Sequence, residues 1–494
     1  MKTLSIPFPR TTVIAAVLAA AAALAGCVTT GGIAPKAQTV DFQTLAPQAV
    51  SSAKIDDTWW QAFGDPQLDA LVARGLSTSP NLAVVRVRLE RAQAQVNEAD
   101  AQRQPRVDAN ASVERQRYTA NTYFPPGIAG TSKSDGSVGV TGSWELDVFG
   151  KRRAELDAAI GSKRAADADF EAARVLLSSS IVRQYVQLAH LTDQHEILAR
   201  SLAQRQEILA LVRQRVEAGL DTGVELRQGE GAIPEIRVAL DGIDEQAEIT
   251  RHVLAELTGQ GPDALRDFSP KLATVDAVPM PSNVPADLLG RRADIVAARW
   301  RVESAGHELD AAHAEFYPSV NLLAFADFSA IGLNNLFKAG SREYGVGPAL
   351  SLPIFDAGRL RANYKAKATD VDSAVDSYNA AVLAALHETA DALSSLRHAE
   401  VQRGEQGEAL DRANRAYELA LERYRGGLTT YLTVLTAETN VLAQRRIDSD
   451  FKAKSLDVQA QLARALGGGY VQTDEAPLSK NLATTHNLTQ EHQS

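Results

Sequence analysis

The run from about residue 359 to residue 425 constrains this chain most, because it reads as one uninterrupted helix. At 1.5 Å per residue it would extend on the order of 100 Å, far beyond what a compact domain needs. Apolar residues recur in it at steps of three and four: Val371, Val375, Tyr378, Val382 and Leu386, then Leu410, Ala413, Tyr417, Ala420 and Tyr424. That spacing is a coiled-coil seam. An alternating stretch over residues 344 to 355 precedes the helix. After a turn at Gly426-Gly427, a second helix returns through Val434, Leu442 and Phe451 to Leu466.

The unit of strand, long helix, tight turn and returning helix occurs twice, at an offset near 208. Arg215-Val216-Glu217-Ala218-Gly219-Leu220-Asp221-Thr222 lies over Arg423-Tyr424-Arg425-Gly426-Gly427-Leu428-Thr429-Thr430, and Gly150 over Gly358. Such self-similarity is the strongest organisational signal in the sequence. It divides the chain into a first repeat (59–259), a linker with five prolines (260–285), a second repeat (286–468) and a polar tail (469–494). Each repeat begins with a helix that stops before a proline, Pro105 or Pro318. In the returning helix of the first copy, Gly229, Gly231 and Pro234 predict a kink or a frayed turn.

Between those helices the period changes to two. Val107, Ala109, Ala111 and Val113 alternate with polar residues, as do Val138, Val140, Trp144, Leu146 and Val148, giving a hairpin over about 106–148. A second hairpin covers about 319–355, where Leu323 and Phe325 blur the inner face. About ten residues a side suits a tilted membrane-spanning strand. Four strands cannot close a barrel, and an open edge in lipid costs several kcal/mol per unpaired group. The chain must therefore associate if these strands enter a bilayer; two copies would give a filled small barrel, and three would supply twelve strands around an aqueous lumen.

The first 26 residues read as a secretory signal. Lys2 and Arg10 precede an apolar run too short to span a bilayer, ending in Leu24-Ala25-Gly26 before Cys27, the one cysteine of the chain. This resembles a lipobox, which implies acylation of Cys27, and Val28 after it implies sorting to the outer membrane. Residues 27–58 then form an extended leader. No other stretch is a transmembrane helix, so any crossing is made by strands. The formal charge of −10 argues against a nucleic-acid partner.

With these elements in place, the chain resembles the TolC family of outer-membrane efflux channels, specifically its NodT-type lipoprotein branch. The likeness rests on the lipobox, on Trp59-Trp60…Phe63-Gly64-Asp65-Pro66…Leu68, on Leu288-Leu289…Arg291-Arg292…Asp294-Ile295, and on the two turns. It implies a mainly α fold with a membrane β-hairpin pair per chain. Three chains would complete a 12-stranded β-barrel above a long periplasmic α-helical barrel. It also implies a lipid-anchored protein that conducts substrates passively, docked on a periplasmic membrane-fusion adaptor and a proton-driven inner-membrane pump, with no cofactor. The docking tips carried over are Gly219-Leu220 and Gly427-Leu428, flanked by Arg215, Arg423 and Tyr424.

Two departures from the family pattern stand out. Its acidic gate positions hold Thr433 and Thr436 here, while the first-copy equivalent of Thr433 is Glu225, one turn after Asp221. Three copies of Glu225 are expected to form the narrowest ring, since like charges on a symmetry axis focus a negative field. The second-copy motif has Ala293 and Arg299 where the family usually has Pro and Glu. An enzyme finds little support: the nine histidines show no metal spacing, and Gly467-Gly468-Gly469 ends a helix rather than cradling phosphate. The rival reading is a lipid-anchored periplasmic coiled coil, structural or adaptor in role, that forms no pore.

Overall fold

The computed structural model describes residues 30–40, 56–121, 123–277 and 292–470. The signal, Cys27, residues 288, 289 and 291 of the second-copy motif, and the tail from residue 471 lie outside the described residues.

The two copies match in the lengths of their long helices. In the first, α1 (Pro66–Thr78) and α2 (Pro80–Ala101) lead to β1 (Arg106–Arg117) and β2 (Ser132–Leu146), then α3 (Lys151–Glu217) and α4 (Gly223–Leu257). In the second, α5 (Ala293–Ala314) leads to β3 (Ser319–Ile331) and β4 (Arg342–Ser351), then α6 (Arg359–Arg425) and α7 (Tyr431–Ala465). The long helices α3 and α6 have 67 residues each, and the returning helices α4 and α7 have 35 each. Contacts, however, group the chain into two compact units that each draw on both copies.

One unit contains residues 88–167 and 297–379 with the leader up to residue 39. Its sheet is antiparallel throughout, in the order β1-β2-β3-β4. The register sets Ala109 against Val140, Val140 against Ala326, and Ala324 against Val346, so their side chains share one apolar face. The other face carries Asn110, Gly139, Asp327 and Glu343. Phe325, which interrupts that polar face, lies over Gly345, where an added Cβ would come within 2.7 Å of its ring. Behind the sheet strands, Val302, Val371 and Val375 form a small core with Ala37 of the leader packed against it. The leader is pinned to α6: Asp372 accepts from the amides of Lys36 and Ala37 at 2.5 and 2.7 Å, and Arg361 donates to the Gly31 carbonyl at 3.0 Å.

The other unit contains residues 40–87, 168–296 and 380–494. Here the Trp-Trp motif has a structural task. Trp59, Trp60 and Phe63 are buried with Leu68, Ile181 and Tyr185 in the largest core cluster. Gly64 turns the chain at φ 71°, and Asp65 caps α1 by accepting from the Gln67 amide at 2.9 Å, with Pro66 in the first turn. The buried Tyr185 hydroxyl and that of Thr274 both donate to Asp65, at 2.5 and 2.7 Å. Burial alone would raise the Asp65 carboxyl, but these hydrogen bonds hold it below the usual carboxylate value.

Arg292 plays the matching part in the second copy. It donates to Asp294, to Glu388 on α6 at 3.0 Å and to the Ala465 carbonyl that ends α7 at 3.2 Å. Ala293 is buried at the start of α5, and the Arg299 guanidinium lies 5.5 Å from the Trp300 ring centre. The frayed turn expected at Gly229, Gly231 and Pro234 does not occur, because α4 is helical throughout. Gly229 is instead a place of close approach: an added Cβ would stand 2.9 Å from Leu209. Near the proline, the Arg205 guanidinium donates to the Ala232 carbonyl at 3.3 Å.

Candidate functional site

Both long helices end in the same way. Gly219 has φ 73°, its amide donates to Val216 O at 3.0 Å, and the Leu220 amide donates to Arg215 O at 2.8 Å. Gly427 also has φ 73°, with Gly427 to Tyr424 O at 3.0 Å and Leu428 to Arg423 O at 2.8 Å. This is the Schellman pattern, in which a left-handed residue lets the last carbonyls find donors. The hydrophobic residue after the glycine commonly folds back on the helix, yet Leu220 and Leu428 are 65% and 71% exposed. Each turn therefore presents an apolar side chain to the outside.

The two turns are tied together within the chain. Arg215 donates to both oxygens of Asp221 at 2.9 and 3.3 Å, and the Tyr424 hydroxyl donates to the same carboxylate at 2.5 Å. The guanidinium also stacks 4.6 Å from the Tyr424 ring centre. Burial alone would raise the Asp221 carboxyl; the hydrogen bonds and the Arg215 charge outweigh it and hold it below the ordinary value. Tyr424 is fully buried and its hydroxyl is pushed upward by that burial and by the bond to Asp221. Beneath it Tyr417, Val212, Tyr431 and Val434 form the core of this end.

Of the residues singled out as constriction candidates, Asp221 thus has its charge matched inside its own chain. Glu225 caps its own helix: its carboxylate accepts from the Thr222 amide at 3.0 Å and from the Thr222 hydroxyl, a capping box. Those bonds lower its pKa. Thr433 and Thr436 are exposed at the start of α7, where Thr436 donates to Leu432 O at 2.8 Å.

A polar cluster that sequence reasoning missed lies deeper in the same unit. Arg205 and Glu438, with side chains 6% and 4% exposed, pair at 3.1 Å. Ser201 donates to Glu438 at 3.2 Å, and Arg205 reaches Thr439 at 3.2 Å. Burial raises the Glu438 carboxyl against the lowering effect of Arg205. The signal was present: Glu438 stands between Val434 and Val441, and Arg205 precedes Ile208 and Val212, at apolar seam spacing. Among the described residues no group of His, Cys, Asp or Glu is placed to hold a metal ion, and no helix is long and apolar enough to cross a membrane.

A duplicated chain with paired hairpins on one sheet and 67-residue helices ending in matched turns has the fold of the TolC-like outer-membrane channels. The family model for outer membrane efflux protein matches residues 71–260 and 284–468, and the chain belongs to that family. The multidrug resistance outer membrane protein MdtQ of Escherichia coli is 32% identical over 459 residues, spanning 90% of this chain and 96% of MdtQ. The fusaric acid resistance protein FusA of Burkholderia cepacia is 36% identical over 372 residues, 72% of this chain and 69% of FusA. Among solved structures, the outer membrane protein VceC of Vibrio cholerae superposes with a TM-score of 0.79 at 33% identity, covering 84% of this chain and all of VceC. The protein is an outer-membrane efflux channel, and its family and structural neighbours are channels rather than enzymes.

Proposed function

We propose that three copies of this chain form the outer-membrane exit duct of a tripartite efflux system, conducting drugs or other small toxic compounds passively. The observation that carries this is the sheet: four antiparallel strands with β1 and β4 at its two edges. Exposed in lipid, those edges would leave backbone groups unpaired at several kcal/mol each, and a twelve-stranded closure removes the cost. Outer-membrane efflux channels of this family work with an adaptor and an inner-membrane pump. The exposed Leu220 and Leu428, on turns whose shape is fixed by Gly219 and Gly427, suit docking of an adaptor's helical hairpins. Arg423 is exposed beside that surface, while Arg215 and the buried Tyr424 hold the two turns together behind it. The names of MdtQ, a multidrug resistance protein, and FusA, a fusaric acid resistance protein, support an organic toxicant as cargo.

Acylation at Cys27 is part of the same reading. Gly31 is held at Arg361, within three residues of the start of α6, and Cys27 lies four residues earlier in the sequence. A lipid on Cys27 would then anchor the chain close to the membrane face. Within this reading Glu225 is the candidate for the narrowest ring, since Asp221 already has its charge matched by Arg215.

The purified mature protein should run as a trimer in detergent and give discrete conductances in planar bilayers; a stable monomer that leaves vesicles impermeable would overturn the proposal. Glu225→Gln should lower cation preference and alter conductance, and unchanged values would remove Glu225 from the constriction.

A further inference from the structure

At the ends of the strands, where β2 gives way to α3 and β4 to α6, a cavity of about 190 Å³ opens in the sheet-bearing unit. Its apolar part includes Phe149 and Tyr317, which stack with ring centres 5.0 Å apart and planes 13° from parallel. Val148 and Phe149 are exposed beside it, and Ile354 and Phe355 continue exposed apolar surface from β4 toward α6. Three carboxylates also line the cavity, and each is already engaged. Glu145 pairs with Arg152 at 2.8 Å, and Glu315 with Lys151 at 3.1 Å. Asp147 accepts from the amides of Arg152 and Arg153 at 3.0 and 2.8 Å.

The remaining charged lining residue, Arg359, has no carboxylate within ion-pair distance among the described residues. Nearby Asp356 uses its two oxygens to accept from the amides of Gly358 and Leu360, at 3.0 and 2.8 Å. The backbone there is held unusually, with Ala357 at φ 56° and Gly358 at φ 87°. A non-glycine residue in the left-handed region carries strain, and here that geometry sets the first residue of α6 facing the cavity.

We propose that this cavity binds the headgroup of an inner-leaflet phospholipid, with its phosphate on Arg359 and an acyl chain along Phe149, Val148 and Phe355. Two features select that occupant. The cavity lies where membrane strands hand over to helices, the depth at which headgroups and aromatic belts meet. Its free charge is a guanidinium, whose planar fork suits phosphate, set beside apolar rings that suit a lipid chain. The acyl group on Cys27 would share the apolar part but carries no anion. The inference rests on the strands being the bilayer-spanning part, which the conductance of the same preparation tests separately.

Native mass spectrometry of protein extracted from vesicles of phosphatidylethanolamine and phosphatidylglycerol tests it. The unmodified channel should retain one phospholipid per chain through detergent washing. Arg359→Ala should retain about tenfold less while still assembling and conducting, and Arg359→Lys should keep most of it, since tenfold is about one charged hydrogen bond. If Arg359→Ala fails to assemble, the comparison falls to Arg359→Gln. Retention in Cys27→Ser should equal that of the unmodified chain. Conducting channels without bound phospholipid would overturn the proposal and leave a neighbouring copy as the cover. Phospholipid retained only after Cys27→Ser would overturn it in favour of the chain's own acyl group, and equal retention by Arg359→Ala would overturn the phosphate contact.

Discussion

Arg205 and Glu438 show what a charged pair does at seam positions of a helical bundle. Desolvating both costs several kcal/mol, and their attraction offsets this when the remaining donors and acceptors are satisfied, as Ser201, Thr439 and the Ala232 carbonyl do here. Arg205→Ala leaves a buried carboxylate without its partner and should destabilise by about 3–5 kcal/mol, whereas Arg205→Met with Glu438→Leu should recover most of that loss. Thermal loss of the helical circular-dichroism signal measures both, and a double variant no better than Arg205→Ala would show that the pair itself is required. At this scale the sequence was only partly legible. The Trp59-to-Leu68 motif was visible as a pattern, but its reason, an aspartate that caps α1 while satisfying the buried Tyr185 hydroxyl, depends on residues 120 and 209 positions away. Gly345 under Phe325 was hidden likewise, since the pairing of β3 with β4 decides which glycine faces which ring.

Helices were the most legible elements, because their ends are local events. Apolar spacing and a glycine at the left-handed position mark where α3 and α6 stop, and the structure ends them at Glu217 and Arg425. At Gly229, Gly231 and Pro234 the frayed-turn alternative is absent: α4 stays helical despite a missing donor, with Gly229 set close to Leu209 and Tyr431. Adding a Cβ at Gly219 meets no neighbouring atom, so Gly219→Ala tests backbone strain alone. It should cost about 1–2 kcal/mol, roughly tenfold faster amide exchange at the turn, with the rest of the molecule unchanged. The leucines beside the glycines test the docking surface instead. Leu220→Asp with Leu428→Asp removes two apolar contacts worth about 1.5–3 kcal/mol each when buried. Adaptor affinity should fall at least about tenfold while the trimer and its bilayer insertion persist. Unchanged co-purification of the adaptor would place docking elsewhere.

For the whole molecule, the question is what would hold the proposed duct shut when no pump is attached. The bond from Tyr424 to Asp221 joins the turn of one copy to the turn of the other, and Arg215 holds the carboxylate from its own helix. Spreading the two turns requires breaking a charge-assisted hydrogen bond in a buried setting, worth about 1.5–3 kcal/mol. Tyr424→Phe with Asp221→Asn should therefore raise the open fraction in single-channel recordings by roughly ten- to hundredfold. The pH dependence follows from the same carboxylate. Its folded pKa lies below the ordinary 3.8, so its stabilisation is fully present above that value and is lost as pH falls through the lower folded one. Closure by this latch should accordingly stay constant from neutral pH through the mildly acidic range and weaken only below about the ordinary carboxylate value. A channel that opens on mild acidification must use another group, and the buried Glu438 would oppose it, because burial raises its carboxyl and protonation therefore favours the state in which it is buried. Recording the opening transition against pH in the unmodified chain, and again in Glu438→Gln, tests whether the transition is independent of Glu438. An acid-induced opening below the ordinary carboxylate range that survives Glu438→Gln and disappears in Asp221→Asn places the latch at the turns.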